Sequence, residues 1–482
     1  GKQIAIADDP KTGEPAAFDG EKGTFIIAAP DKNAPGFLSK GFLVDSGKGY
    51  LQFSGTKDFF LKGGADSPEN LLAFADFDAT FDTEGLNREG EAKGREFIHH
   101  YRPHEQDWKP GDPSWKGGKG KGLIGAFNYL ADQGMNSVYF ITYNLDGGDG
   151  KDVWPWTDPK ERFRFDCSKL DQWNIVFDHA DRLGILLHNI GQEQENDQGL
   201  DGGELGPQRK LYYRELVARF AHHRGWVWNL GEENTNSDAQ RKAFARYIHD
   251  LDPYDHPVVV HTFPGQYEQV YRPLLGYEWL QGVSLQTMDT HEQTVKWATE
   301  STKAGRRWLV FLDEVAQADI GVKPDADDPA HDEIRSRHLW GNLMGGGAGV
   351  EWYFGYKYPN NDLNCEDWRS RDQMWRQTRI ALDFFHQYLP FRELVPADSC
   401  VEAGSFCLAK EGSFYAIYLP KGGSTHLDLG DNAADFRIRW FNPRQGGGLV
   451  SGSIEVLRGP GKQTLGLPPA DPEKDWVVLV ER

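Results

Sequence analysis

Basic charge is scarce in this chain, and that scarcity removes several functions at once. Lys and Arg number 53 against 73 Asp and Glu, a formal net charge of −20 over 482 residues. Nucleic-acid binding needs a basic face to neutralise phosphates, and an anionic membrane surface asks for the same. Neither is expected as a partner. No run of about 18 apolar residues occurs, so no transmembrane helix is expected. Cysteine is equally sparse. Cys167, Cys365, Cys400 and Cys407 show neither CxxC nor metal-ligand spacing. Cys400 and Cys407 flank an expected hairpin and are the one pair whose spacing suits a disulfide in an oxidising compartment.

Walker A, HExxH and GxSxG sequences are absent. Gly120, Gly122 and Gly125 spell GxGxxG, but after a polar loop rather than a strand, so the dinucleotide fingerprint lacks its context. The acidic loops with Asp146 and Asp149, and with Asp325, Asp327 and Asp328, lack EF-hand spacing. No cofactor and no metal are expected. The chain opens Gly-Lys-Gln with no signal peptide. That reads as a trimmed start, and a secreted or periplasmic location is expected.

What the chain does have is a regular alternation. Residues 1–58 read as short strands (23–30, 37–44 and 49–55) between turn clusters, a β-rich segment that packs on the neighbouring domain. From residue 59, apolar runs alternate eight times with amphipathic stretches. The runs are FFLKGG (59–64), NSVYFITYN (136–144), GILLHNIG (184–191), WVWNLGEEN (226–234), HPVVVHTF (256–263), GVSLQT (282–287), RWLVFLDEVA (307–316) and GAGVEWYFG (347–355). Continuous apolar runs are what parallel strands buried on both faces require. Helices are expected at 122–133, 170–182, 209–222, 237–251, 267–275, 291–304, 331–344 and 365–388. Eight such units fit an α/β fold, a (β/α)8 TIM barrel over 59–390. Residues 391–482 alternate apolar and polar with frequent turn signals, which predicts an antiparallel β-sandwich.

In such a barrel the reacting groups stand at the C-terminal strand ends. Strand four ends in Glu232 and Glu233, strand seven in Asp313 and Glu314. Two carboxyls across one mouth are what glycoside hydrolysis needs, one protonated and one ionised. Strand alternation lets one member of each adjacent pair face the mouth. The plain alternative is that these acids cap helices or pair with arginines.

The runs WVWNLGEEN and FLDE resemble the clan of retaining (β/α)8 glycosidases, which carry acid/base and nucleophile glutamates at these two strand ends. More closely, FFLKGGADSPENLL, WNLGEEN and RWFNPRQGG resemble barrel glycoside hydrolases with a small C-terminal domain labelled collagen-binding. The likeness covers most of 37–482. It implies Glu233 as acid/base, aligned with the Glu of the clan's Gly-Asn-Glu, and Glu314 as nucleophile. Glu232 stands where the clan has the Asn that holds the substrate 2-hydroxyl.

A carbohydrate substrate is therefore expected, met also by Asp66, His100, Tyr143, His188, Glu232, His261, Gln286, Asp313 and Trp352, all at strand ends or in the loops beyond them. Glu69 reads as a turn cap, and Trp154 and Trp156 as either a stacking wall or a loop anchor. Two other readings stand beside retention: an inverting enzyme using Glu232 or Asp313, and a non-catalytic carbohydrate- or matrix-binding protein.

Overall fold

The computed structural model describes residues 17–24, 31–83, 98–145, 147–148, 150–315 and 317–482. The expected strand at 23–30 and the acids Asp146 and Asp149 fall wholly or partly outside these.

Eight parallel strands close into a barrel. They are β1 (Lys62–Ala65), β2 (Ser137–Ile141), β3 (Leu186–Ile190), β4 (Trp226–Asn229), β5 (Val258–Thr262), β6 (Gly282–Thr287), β7 (Leu309–Val315) and β8 (Gly349–Trp352). Strands β2–β5 and β7 carry a large aliphatic or aromatic residue on each face, as burial on both sides requires. The β1 strand is built differently. A Cβ on Gly64 would sit 1.7 Å from the carbonyl oxygen of Ser137, so glycine lets β2 close against it.

The outer layer holds α1 (Lys121–Asp132), α2 (Cys167–Leu183), α3 (Pro207–Phe220), α4 (Asp238–Leu251), the short α5 (Tyr267–Val270), α6 (Thr290–Lys303), α7 (Trp340–Met344) and α8 (Asp372–Tyr388). Local chemistry fixes their ends. Asp166 caps α2 by accepting the Lys169 N–H, Gly184 ends it at φ 79°, and Ser237 with Gln240 forms a capping box on α4. Trp226 packs outward against Phe177 and Phe220 with ring centroids 5.5 and 5.8 Å away, joining β4 to α2 and α3.

At the N-terminal end of the barrel, a three-stranded antiparallel sheet (Leu43–Asp45, Leu51–Phe53, Phe59–Phe60) covers the opening. Leu43 donates its N–H to the carbonyl of Arg224 at the entry to β4, and Phe37 lies under Gly225. The expected strand at 37–44 is corrected here. Gly36–Ser39 forms a 3-10 turn, which puts Phe37 into that contact, and the strand begins at Leu43.

Residues beyond α8 form a six-stranded antiparallel sheet with a two-stranded sheet (His426–Asp428, Lys462–Thr464) folded over it. Trp440, Phe436, Leu427 and Leu465 fill the space between them. The other face packs on the barrel. Trp340 stacks on Tyr418 at 5.1 Å, His291 stacks on Phe406 at 3.7 Å, and Arg335 grips Asp475 with bonds of 2.9 and 3.0 Å. Cys400 and Cys407 are free thiols rather than the disulfide that their spacing allowed. Cys407 is buried in the core of its sheet. Among the described residues no helix is long and apolar enough to cross a membrane.

Candidate active site

The C-terminal mouth is built from the ends of β1 and β3–β7. At β7 the register with β6 slips between Leu312 and Glu314, leaving Asp313 as the extra residue of a bulge. A bulge breaks the two-residue alternation. Both Asp313 and Glu314 are therefore buried toward the barrel axis, where plain alternation would have admitted only one of them.

The two neighbours do different work. Asp313 accepts hydrogen bonds from Lys62 and from Ser284. Lys62 also donates to Glu351 at 2.6 Å and contacts His188 Nδ1 at 3.2 Å, and His188 Nδ1 lies 2.8 Å from Glu351. Asn229 meets the other nitrogen of His188 at 3.3 Å. These residues form a closed polar layer inside the barrel beneath the mouth. Burial, with the Lys62 charge beside it, holds the His188 imidazole well below its ordinary pKa, in the neutral form.

Glu314 stands above that layer. Gln286 donates to one of its oxygens, and His261 Nε2 lies 3.1 Å from the other, off the line of a full hydrogen bond. His261 is steadied by Ser284 at 3.3 Å. Burial pushes the Glu314 carboxyl up, but His261, Glu232 and Gln286 outweigh it and hold the group below the usual carboxylate range.

Glu232 is the opposite case. It is fully buried, neither oxygen has a donor, and burial together with the charges of Glu193 and Glu314 drives its pKa well above the ordinary value. Oxygens of Glu232 and Glu314 and a nitrogen of His261 lie within 4.8 Å of one another, as do oxygens of Glu69, Glu193 and Glu232. Such crowding is relieved by shared protons or by a hard cation.

Glu233 belongs to neither group. Gly231 at φ 148° and Glu233 at φ 42° turn the chain after β4, and Glu233 is half-buried.

Of the other expected contacts, Asp66 ends β1 on the inward face, buried, with both oxygens lacking a donor. Tyr143 is buried edge-on against Trp156 at 5.0 Å. Trp154 and Trp156 are both buried, which makes them loop anchors. His100 is half-buried and gives its backbone N–H to Glu366 at 3.1 Å. Its neighbours His99 and His104 are held by Asn70 and Asp107.

Three expected contacts are placed elsewhere by the structure. Trp352 follows the inward Glu351 and so points outward, its indole N–H on Thr378 of α8 at 2.8 Å. His188 and Asp313 lie in the layer below the mouth, their polar atoms engaged by protein.

Sequence reading missed Lys62, Glu193 and Glu351, and took Glu69 for a turn cap. The signal for Lys62 and Glu351 was present, since each is a lone charge in an otherwise apolar or glycine-rich strand.

The family described as "Putative collagen-binding domain of a collagenase" matches residues 389–481. A comparison with curated protein sequences finds no match. Among solved structures, one titled "Glycoside hydrolase" is similar with a TM-score of 0.63 and 14% identity, over 93% of this chain and 98% of that one. A glycoside hydrolase family 5 protein from Bacteroides vulgatus is similar with a TM-score of 0.64 and 15% identity, over 93% of this chain and 94% of the other. At such identities the fold is what is common: along nearly its whole length, this chain is built like these glycoside hydrolases.

Proposed function

We propose that the chain hydrolyses glycosidic bonds of a carbohydrate with net retention, from a catalytic unit in residues 59–390. The observation that carries this is one pair of buried carboxyls, Glu232 and Glu314, within 4.8 Å of each other and biased in opposite directions, the first toward its protonated form and the second toward its ionised form. That is the division of labour the reaction needs. Oxygens this near one another favour retention over inversion, which needs carboxyls set apart by roughly 6.5–9.5 Å to admit a water.

Glu314 attacks the anomeric carbon as Glu232 gives its proton to the departing oxygen, so the glycosidic C–O bond breaks and a glycosyl ester forms on Glu314. Glu232, now a carboxylate, takes a proton from water. That water attacks the same carbon and releases Glu314. Gln286 and His261 keep the Glu314 oxygens oriented. Asp313 is engaged by Lys62 and Ser284, which disfavours it as a second catalytic acid.

A second reading keeps Glu233 as the acid/base and makes Glu232 a hydroxyl-binding group. The left-handed backbone at Glu233 favours it, because strain of this kind collects at functional positions, and so does the motif alignment. Glu314→Gln, Glu232→Gln and Glu233→Gln, assayed on a panel of plant and algal polysaccharides, separate the readings. Loss of several orders of magnitude in the first two, with Glu233→Gln active, is expected. The converse for the two β4 glutamates selects the second reading. Near-normal hydrolysis by Glu314→Gln ends both.

A further inference from the structure

Asp66 is the unexplained group of the mouth. The residue is 1% exposed, and neither carboxylate oxygen receives a hydrogen bond. Its backbone N–H is engaged, donating to the carbonyl of Trp352 at 3.1 Å. The charges that act on it come from Glu314, Asp313, Asp362 and Glu351, all carboxylates. A buried acceptor without a donor costs free energy, and one that faces a mouth is well placed to be completed by a bound ligand.

Asp66 ends β1 two residues beyond the inward Gly64, so its carboxylate enters the same mouth as Glu232 and Glu314, and its charge acts on both. Two oxygens of one carboxylate suit two donors presented side by side. The cation at the base of the mouth, Lys62, is already shared between Asp313 and Glu351.

We propose that Asp66 clamps two neighbouring hydroxyls of the sugar held on Glu314, and that the mouth is thereby specific for uncharged glycosyl units, rejecting uronates and sulfated sugars. The inference rests on the hydrolase reading and narrows it to a substrate class. Neutral hydroxyls bring the missing donors. A carboxylate or sulfate on the same ring brings a second negative charge beside the ionised Glu314.

The test uses the full chain on two sets of polysaccharides. The neutral set holds glucans, mannans, xylans and galactans. The anionic set holds polygalacturonate, alginate, carrageenan and fucoidan, and chitosan serves as a cationic arm. Cleavage confined to the neutral set is expected. On the glycan cleaved, Asp66→Ala should lose at least about a hundredfold in kcat/KM. At about 1.4 kcal/mol per tenfold that is about 3 kcal/mol, the scale of two hydrogen bonds to a buried acceptor.

Asp66→Asn separates this role from a structural one. A clamp residue whose carboxylate has no partner in the fold should give a variant that melts higher than wild type while being slower. Preferential cleavage of an anionic glycan or of chitosan, Asp66→Ala within threefold of wild type, or Asp66→Asn melting lower overturns the proposal and leaves the hydrolase reading standing. Absence of cleavage of any glycan removes the hydrolase reading, and this inference with it.

Discussion

Replacing Lys62 by Met would strand two carboxylates inside the barrel. In the folded chain the ammonium bridges Asp313 and Glu351, and all three side chains are fully buried. Removing one partner of a buried ion pair costs about 3–5 kcal/mol, because the remaining charge keeps its desolvation penalty and loses its attraction. Against a total stability of about 5–15 kcal/mol, this is a large fraction. For a domain of this size, about 2 °C per kcal/mol gives a fall in Tm of about 6–10 °C. Differential scanning calorimetry reads it directly.

The effect must also reach the chemistry. Asp313 is the bulge residue that turns Glu314 inward, so a relaxed bulge should lower kcat more than it raises KM. The triple variant Lys62→Met, Asp313→Asn, Glu351→Gln carries no stranded charge and should recover most of the lost Tm without recovering kcat. A single variant melting within about 2 °C of wild type would refute the reasoning. So would a triple variant no more stable than the single one.

The pH dependence comes from the two opposed carboxyls. With Glu314 held low and Glu232 held high, kcat/KM should form a bell, its acid limb below the ordinary carboxylate range and its alkaline limb well above it. A profile with a single limb contradicts the pairing. Stability has its own sign. The raised pKa values of Glu232 and Asp66 mean that these groups support the fold fully below the ordinary carboxylate value, and that this support is lost as pH rises through their folded values. Tm should therefore fall toward alkaline pH, and less steeply in Glu232→Gln. Trp352→Phe should cost about 1–2 kcal/mol through the lost bond to Thr378 while kcat/KM stays level. Strong loss of activity at unchanged Tm would place that ring in the mouth after all.

The barrel was legible because burial on both faces leaves a mark that needs no partner to be read. Runs such as HPVVVHTF and RWLVFLDEVA can be little else than interior strands. The site was legible as far as the two strand ends. It stopped at the choice within each acidic pair, because that choice is made by backbone geometry rather than residue type. The slip at Asp313 and the left-handed turn through Gly231 and Glu233 decide which carboxyl faces inward, and alternation counted along the sequence misjudges β7. Trp352 misled for the opposite reason: alternation does hold at β8, and Glu351 takes the inward place. Glu193 was missed because it sits in a loop whose path depends on contacts with β4 and β1, far away in the chain.

The stacking of Trp340 on Tyr418 and the grip of Arg335 on Asp475 bear on how this protein can be divided. Trp340, Phe384 and Phe385 belong to the same apolar core as Tyr418, Phe441 and Leu479. Cutting the chain after α8 would uncover that surface on both fragments, along with an arginine whose carboxylate had left. The terminal β-domain is thus part of what keeps the barrel in solution. Anyone wishing to engineer the barrel as a free-standing enzyme would first have to redesign its wall.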